Sequence, residues 1–456
     1  MSATGSRLLA LRVGEQVRTR KAWVGNVLDA ERAKTSLSPE DFALATRLSY
    51  GVAQWTGTLD DALDRYIPRP HDVRPRVRSA MRISAYELLF SDVPSRAAVH
   101  QGVELAKAAG PGAAKLANAI LRRLAQDVAT FPWGDPETDI AALARSTGHP
   151  KWLVERLLAD LGEADARTML LADTDTAPLY LAHNPFKCEM SELMELLAKE
   201  EAQPAQVSDV PGCIRCAVPA AAVGGSALSE GLAIVADAGA QFAAQCAIPP
   251  DGGVVVDVAA GRGTKTALIL AGLKRLGRSA RVIAIDVHGF KAGVARARLA
   301  ELGMPEVDFV EADSTNKAAL VVAAGEGTTD VALVDAPCSG LGTLRRHPEK
   351  RWRLRPEDID SVAATAQGML VASAALVRPG GFVVYSTCTV TARENDQLVD
   401  SFLASQAGEG FSSADMKSRL PEGWMRFLNA AGRVQIVPEQ NGPDGHYVAV
   451  LIRDLA

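Results

Sequence analysis

The sequence predicts an α/β protein: a doubly wound, Rossmann-like sheet in its second half, preceded by an all-helical domain and a small α+β insert. Three observations carry this. From Gly253 onward short β-branched runs alternate with longer helical patterns, the signature of a parallel sheet with crossover helices. From Ser6 to Gln126 apolar residues recur at helical spacing with no credible strand series. Between these regions breakers cluster at Phe131-Pro132-Trp133, Asp135-Pro136 and His149-Pro150, the density expected of a linker. The expected boundaries are 1–130 for the helical domain, 145–235 for the insert and 236–456 for the sheet domain.

In the helical domain, Leu44, Ala45, Leu48, Val52 and Trp55 mark one apolar stripe, and Val103, Leu105, Ala106, Ala114, Leu116, Ile120 and Leu121 mark another. Breaks at 67–70, 93–95 and 110–112 divide the region into roughly five to seven helices. Arg122 and Arg123 fall on a last helical turn, where complementing the macrodipole is a simpler reading than an RNA contact. The insert reads as helices at 152–161 and 189–201 with strands at 179–182, 213–218 and 232–235. Strands of the main sheet are expected at 254–258, 282–286, 308–311, 331–335 and 382–386, with helices at 266–276, 291–302, 317–324 and 356–377. A late antiparallel pair, 433–437 and 446–453, completes one edge.

Composition narrows the function classes. The 456 residues are 48% hydrophobic and 23% charged, which suits a globular chain of several domains. No apolar run reaches the roughly 18 residues of a membrane span, and residues 1–12 lack a signal-peptide pattern, so a cytoplasmic protein with no membrane partner is expected. Six scattered cysteines imply reduced thiols rather than a disulfide framework. Cys213 and Cys216 form a Cys-x-x-Cys pair, but no second pair follows to complete a zinc site, and no metal is expected. The net charge of -5 hides a polarity: residues 1–127 hold 19 Lys and Arg against 13 Asp and Glu, or +6, which leaves -11 for the remainder. A basic module on an acidic body would suit a phosphate-bearing partner.

Ligands of open parallel sheets bind beyond the carboxyl ends of the strands, and here each end is polar. The first strand contains Asp257 and runs into Ala259-Ala260-Gly261-Arg262-Gly263-Thr264-Lys265, a turn of small residues that lets a ligand approach the backbone at a helix N-terminus. The second ends at Asp286, the third precedes Asp313, and the fourth ends at Asp335. The turn lacks the third glycine of a dinucleotide fingerprint, and Thr264 stands where a P-loop needs glycine before Lys265. A nucleoside-type cofactor remains, with Asp286 placed for ribose hydroxyls and Asp313 for an adenine amino group. Taken singly each is equally a strand-end or capping Asp. Together they favour S-adenosylmethionine.

Two thiols follow equivalent strands: Cys338 in Asp335-Ala336-Pro337-Cys338-Ser339-Gly340, and Cys388 after the run 382–385. Isolated cysteines are often small buried hydrophobes, but these are flanked by Ser339, Ser386, Thr387 and Thr389. Carbon 5 of cytosine becomes nucleophilic when a thiolate adds to carbon 6, and a carboxyl such as Asp335 can assist at N3. Either thiol could attack; the other would serve the later elimination. Between them, Arg345-Arg346-His347-Pro348-Glu349-Lys350-Arg351-Trp352-Arg353-Leu354-Arg355 carries six cations, one acid and an aromatic. Arg345, Arg346, His347, Lys350, Arg351, Trp352 and Arg353 are therefore candidate RNA contacts.

These motifs resemble the RNA cytosine-carbon-5 methyltransferases of the Sun family, specifically the RsmB-like (Fmu) ribosomal RNA enzymes with a NusB-like helical N-terminus. The resemblance spans nearly the whole chain and rests on Asp335 to Gly340, on Arg345-Arg346-His347-Pro348, and on Ser386-Thr387-Cys388-Thr389. Ala236-Asp237-Ala238-Gly239-Ala240-Gln241 and residues 113–123 support it more weakly. It implies that Cys388 is the nucleophile, that Cys338 assists product release, and that Asp335 activates the base. It also implies S-adenosylmethionine as cofactor, RNA as partner, and an RNA-facing insert; a monomer is expected. Ala259 to Lys265, Asp286, Lys291, Asp313 and Asp335 would hold the cofactor. Arg262 and Thr264 depart from the family's Pro and Gly, Thr264 adding a side chain near the cofactor's methionine end, and Lys291 stands for a usual Arg. The implied substrate is ribosomal RNA of the small subunit. A transfer RNA target, and a non-catalytic assembly factor with a decayed cofactor turn, remain the rival readings.

Overall fold

The computed structural model describes residues 3–418 and 420–455. It divides into two compact units, one up to Ala159 together with Leu344–Leu354, the other formed by Asp160–Thr343 and the residues from Arg355 onward.

The first unit is helical. Gly5–Arg20, Val24–Arg32, Pro39–Asp64, Pro75–Phe90, Ser95–Ala109 and Ala113–Asp127 are separated where the breakers fall, and Ile140–Thr147 follows. Ser38 starts the longest helix by accepting a hydrogen bond from Asp41 N, with Pro39 at the first helical position. Leu48, Leu59, Leu63, Met81, Ile83, Leu105, Leu121 and Leu124 are buried in its core.

Leu344–Leu354, which lies between two strands of the other unit in sequence, belongs to this helical body. The indole of Trp352 donates to Gln54 O at 2.9 Å, and its ring occupies the space a Cβ on Gly57 would need. Arg353 donates to the carbonyls of Val17, Lys21 and Ala22, which satisfies the open C-terminal end of Gly5–Arg20. Glu349 accepts from Val24 N at 2.8 Å, the N-terminal turn of the next helix. Arg351 is fully buried and donates to Gly148 O at 3.1 Å.

The second unit contains two sheets. The smaller has strands β1 (Leu179–His183), β2 (Pro204–Gln206), β3 (Cys213–Cys216) and β4 (Ala233–Val235), all antiparallel in the order β2-β3-β1-β4. Helix Met190–Lys199 packs beside it behind a capping box of Glu189 and Glu192. Cys213 and Cys216 are buried; burial pushes both thiols up, Cys216 to about 11.

The larger sheet has β5 (Gly253–Val258), β6 (Ala280–Asp286), β7 (Asp308–Glu311), β8 (Thr329–Asp335), β9 (Val377–Thr387), β10 (Phe411–Ser413), β11 (Val434–Ile436) and β12 (His446–Arg453). Its order is β10-β12-β9-β8-β5-β6-β7, with β11 paired to β12. β5 to β9 are parallel, whereas β10, β11 and β9 all pair antiparallel with β12. Val255, Val256, Val258 and Val331 to Val334 are buried on both faces, as a parallel sheet covered by helices requires. The chain leaves β5 for β6 and β7, then returns on the other side to β8, so strand order reverses between β5 and β8. The crevice beyond their carboxyl ends is where such sheets bind ligands. Among the described residues no helix is long and apolar enough to cross a membrane.

Candidate active site

The turn after β5 is built from backbone conformations that few residues adopt. Ala259, Gly261 and Gly263 have φ of 60°, 59° and 74°, the left-handed region that costs most side chains energy. At Gly263 a Cβ would come within 2.9 Å of Ala295 Cβ, whereas at Gly261 it would meet nothing nearer than Ala259 O at 3.9 Å. The surface over Gly261 is thus open to a ligand. Asp286 Oδ2 accepts from Gly261 N at 3.0 Å and Oδ1 from His288 N at 2.9 Å, while Lys291 Nζ lies 3.1 Å from Oδ1. The carboxylate at the end of β6 therefore holds the turn and helix Gly289–Glu301 together. Asp313 is exposed and accepts from the backbone and hydroxyl of Thr315, which lower its carboxyl below the ordinary range. The Thr264 hydroxyl accepts from Arg298 Nη1 at 2.6 Å, so the side chain expected near the cofactor's methionine end is tied to helix Gly289–Glu301.

Cys338 and Cys388 meet. Asp335 is in register with Ser386 across β8 and β9, Ala336 N donates to Ser386 O, and just beyond these pairs the two sulfurs lie 3.4 Å apart. A hydrogen bond to Cys388, burial and the nearby charge of Glu394 raise the Cys338 thiol well above its ordinary range. Lys265 Nζ is 2.7 Å from Asp335 Oδ1, with the Lys265 side chain 11% exposed and that of Asp335 35%. Burial alone would lower the ammonium; the charges of Asp335, Cys388 and Asp257 together raise it. Lys265 thus stays a cation, held by Asp335, and its charge is coupled to Cys388. Behind them Asp257 is fully buried, accepts from Thr266 Oγ1 at 2.6 Å, and is pushed up to about 7, chiefly by burial.

Part of the segment 345–353 is engaged within the helical unit. Arg351, Trp352 and Arg353 were expected to face RNA, yet Arg351 is buried and all three donate to backbone carbonyls of the helical unit. Arg345 is buried as well, while Arg346, His347 and Lys350 are half-buried. His347 packs on the Trp23 ring, 4.9 Å between centroids, and the Lys350 ammonium lies 5.9 Å from the same ring. Glu394 went unread in the sequence: a carboxylate six residues after a thiol carries no signature, although the hydroxyls it binds were visible beside both cysteines.

Comparison with known proteins agrees along the chain. A family model described as "16S rRNA methyltransferase RsmB/F" matches residues 244–452, the NusB family matches 4–126, and an RsmF/B-like ferredoxin-like domain matches 149–222. The chain is 31% identical to a Synechocystis protein named "Probable ribosomal RNA small subunit methyltransferase B", covering 98% of this chain and 99% of that one. The crystal structure of PH0851 superposes with a TM-score of 0.77 at 22% identity, covering 98% of this chain and 99% of that one. A methyltransferase homologue from Pyrococcus horikoshii superposes with a TM-score of 0.56 at 21% identity, covering 68% and 97%. With a NusB helical region ahead of a Rossmann-like methyltransferase fold, the chain belongs to the RsmB/F family of 16S ribosomal RNA methyltransferases.

Proposed function

We propose that this methyltransferase acts on carbon 5 of a cytosine in 16S ribosomal RNA, using S-adenosylmethionine and a transient covalent bond between Cys388 and carbon 6. The observation that carries the reading is the pair of sulfurs 3.4 Å apart on the rim that also bears the Lys265–Asp335 ion pair. Nothing in ordinary methyl transfer to oxygen or nitrogen calls for two adjacent thiols; carbon-5 chemistry uses one to add to carbon 6 and leave again, and a second can assist its departure.

When bound, S-adenosylmethionine supplies an electrophilic methyl group, and the open turn over Gly261 with Asp286, Lys291 and Asp313 would hold it. Arg262, Thr264 and the small residues Ala259 and Ala260 complete that turn. Cys388 adds to carbon 6 as a thiolate, which pushes electron density onto carbon 5. The Asp335–Lys265 pair offers a carboxylate acceptor and an ammonium donor to the N3–N4 edge of the base as this density builds. After methylation water takes the carbon-5 proton, the C–H electrons form the carbon 5–carbon 6 double bond, the carbon–sulfur electrons return to Cys388, and the emerging thiolate accepts a hydrogen bond from the Cys338 S–H. RNA contacts are assigned to Arg346, His347 and Lys350, the half-exposed part of the basic segment. A ribosomal substrate carries with it a cytoplasmic site of action.

Replacing Cys388 by Ala should abolish methyl transfer to RNA; full turnover would remove the nucleophile assignment. Cys338→Ala should accumulate an enzyme–RNA adduct that migrates slowly in denaturing gels. Bisulfite sequencing of total RNA from a deletion strain identifies the target, and loss of a mark only in transfer RNA would overturn the ribosomal assignment.

A further inference from the structure

Glu394 takes no part in the steps above, yet it touches the loops of both thiols. Its carboxylate is 1% exposed. It accepts from Ser339 N at 2.6 Å and Ser339 Oγ at 2.7 Å, and from Thr391 Oγ1 at 2.5 Å and Thr389 Oγ1 at 3.2 Å. Ser339 directly follows Cys338, and Thr389 directly follows Cys388. The two hydroxyls also bond each other at 2.7 Å. The backbone of Glu394 is pinned in turn, its carbonyl accepting from the buried Tyr385 hydroxyl at 2.7 Å.

Three protons at a time converge on one carboxyl group, since the Ser339 and Thr389 hydroxyls spend one of theirs on each other, an arrangement suited to a carboxylate acting as acceptor. The carboxylate thus bridges the loops of both thiols, and its charge acts on Cys338. The charged and titratable groups acting on Cys338 are Cys388 and Glu394, with the Tyr385 phenol also coupled to it, while Lys265, itself paired with Asp335, acts on Cys388. An anion acting on Cys338 and an ammonium acting on Cys388 distinguish two otherwise equivalent thiols.

We infer that Glu394 is the positioning residue of the two-thiol site: it sets the spacing of the loops that carry Cys338 and Cys388, and its charge assigns the thiolate to Cys388. The inference rests on the two-thiol reading of the reaction. The alkylation arm of its test needs no RNA.

The full-length chain and its Glu394→Gln and Glu394→Asp variants are treated with iodoacetamide from pH 6 to 10, and each thiol's alkylation rate is read by peptide mass spectrometry. In the unsubstituted chain Cys388 should react at lower pH than Cys338. Glu394→Gln keeps the size and removes the charge, so Cys338 should ionise earlier and the Cys388-to-Cys338 rate ratio at pH 8 should shrink by about tenfold, one unit of ionisation. Glu394→Asp keeps the charge on a shorter arm, so the ratio should persist while kcat for methyl transfer falls on the order of ten- to hundredfold at unchanged KM for S-adenosylmethionine. A Gln ratio within twofold of the unsubstituted chain, or an Asp variant that loses the ratio, overturns the inference. If Glu394→Gln does not fold, as judged by thermal melting, the Asp variant alone decides. Should Cys388→Ala retain methyl transfer, the nucleophile reading falls, and the alkylation ratio still judges Glu394.

Discussion

At the residue scale, Asp257 is a carboxyl group with one partner too few. Thr266 donates to Oδ2, Oδ1 is buried without a hydrogen bond, and the group is pushed up to about 7. A raised carboxyl binds a proton in the folded chain that the unfolded chain releases, so this contribution to stability is complete below about pH 4 and is lost as pH rises through about 7. Asp257→Asn should therefore raise the melting temperature more at pH 8 than at pH 5, by an amount worth on the order of a few kcal/mol at most. An equal shift at both pH values would refute this. Lys265→Met should cost methyl transfer about a hundredfold, because it strips Asp335 of its ammonium and Cys388 of its facing cation; steady-state kinetics measures it. The sequence grouped both thiols with Asp335, since strand-end polarity is a local pattern, and read Lys265 as part of the cofactor turn. It could not show that Lys265 pairs with Asp335, which depends on the turn after β5 folding back across the sheet.

At the scale of elements, the turn 259–263 and the strap 344–354 are the parts most exposed to substitution. Gly263→Ala meets both a φ of 74° and a Cβ contact of 2.9 Å with Ala295, and should destabilise the chain by about 1–3 kcal/mol while weakening S-adenosylmethionine binding in calorimetry. Trp352→Ala should cost about 3 kcal/mol in denaturant unfolding of the helical unit, since it empties the space over Gly57 and orphans an indole partner. The parallel strands were legible because each is a short apolar run between helical patterns. Pro204–Gln206 and Phe411–Ser413 were not, being three-residue strands that pair at sheet edges. β9 begins five residues before its expected start, because Pro379-Gly380-Gly381 reads as a break while the ladder accommodates it through an irregularity between Thr329 and Val331. The strap misled for a related reason. Its aromatic correctly argued against a solvated run, but the surface it stacks on is the protein's own.

For the whole molecule, the division into a helical unit and a sheet unit does not follow the chain. A fragment starting near Asp160 retains the strap but lacks Gln54, Gly57, Val17 and Gly148, the groups that bury Trp352, Arg351 and Arg353. Such a fragment should aggregate, and replacing 345–353 by a Gly-Ser linker should restore a monodisperse peak in size-exclusion chromatography. The same chromatogram for both fragments would count against the strap's assignment to the helical unit. Domain boundaries read from composition place every residue after 236 with the sheet, because composition reports where the chain changes character and not where a short segment goes to be buried.

The strap also sets a timetable. The six N-terminal helices are complete once residue 127 has been made, but Trp352, Arg353 and Glu349 follow only after more than two hundred further residues. At elongation speeds of about 5–20 residues per second, that is a wait on the order of 10–40 s. During it the carbonyls of Val17, Lys21 and Ala22, the amide of Val24 and the groove over Gly57 face water or whatever else is within reach. The helical unit is thus born first and finished late, and its final stability arrives together with the strands that carry the thiols.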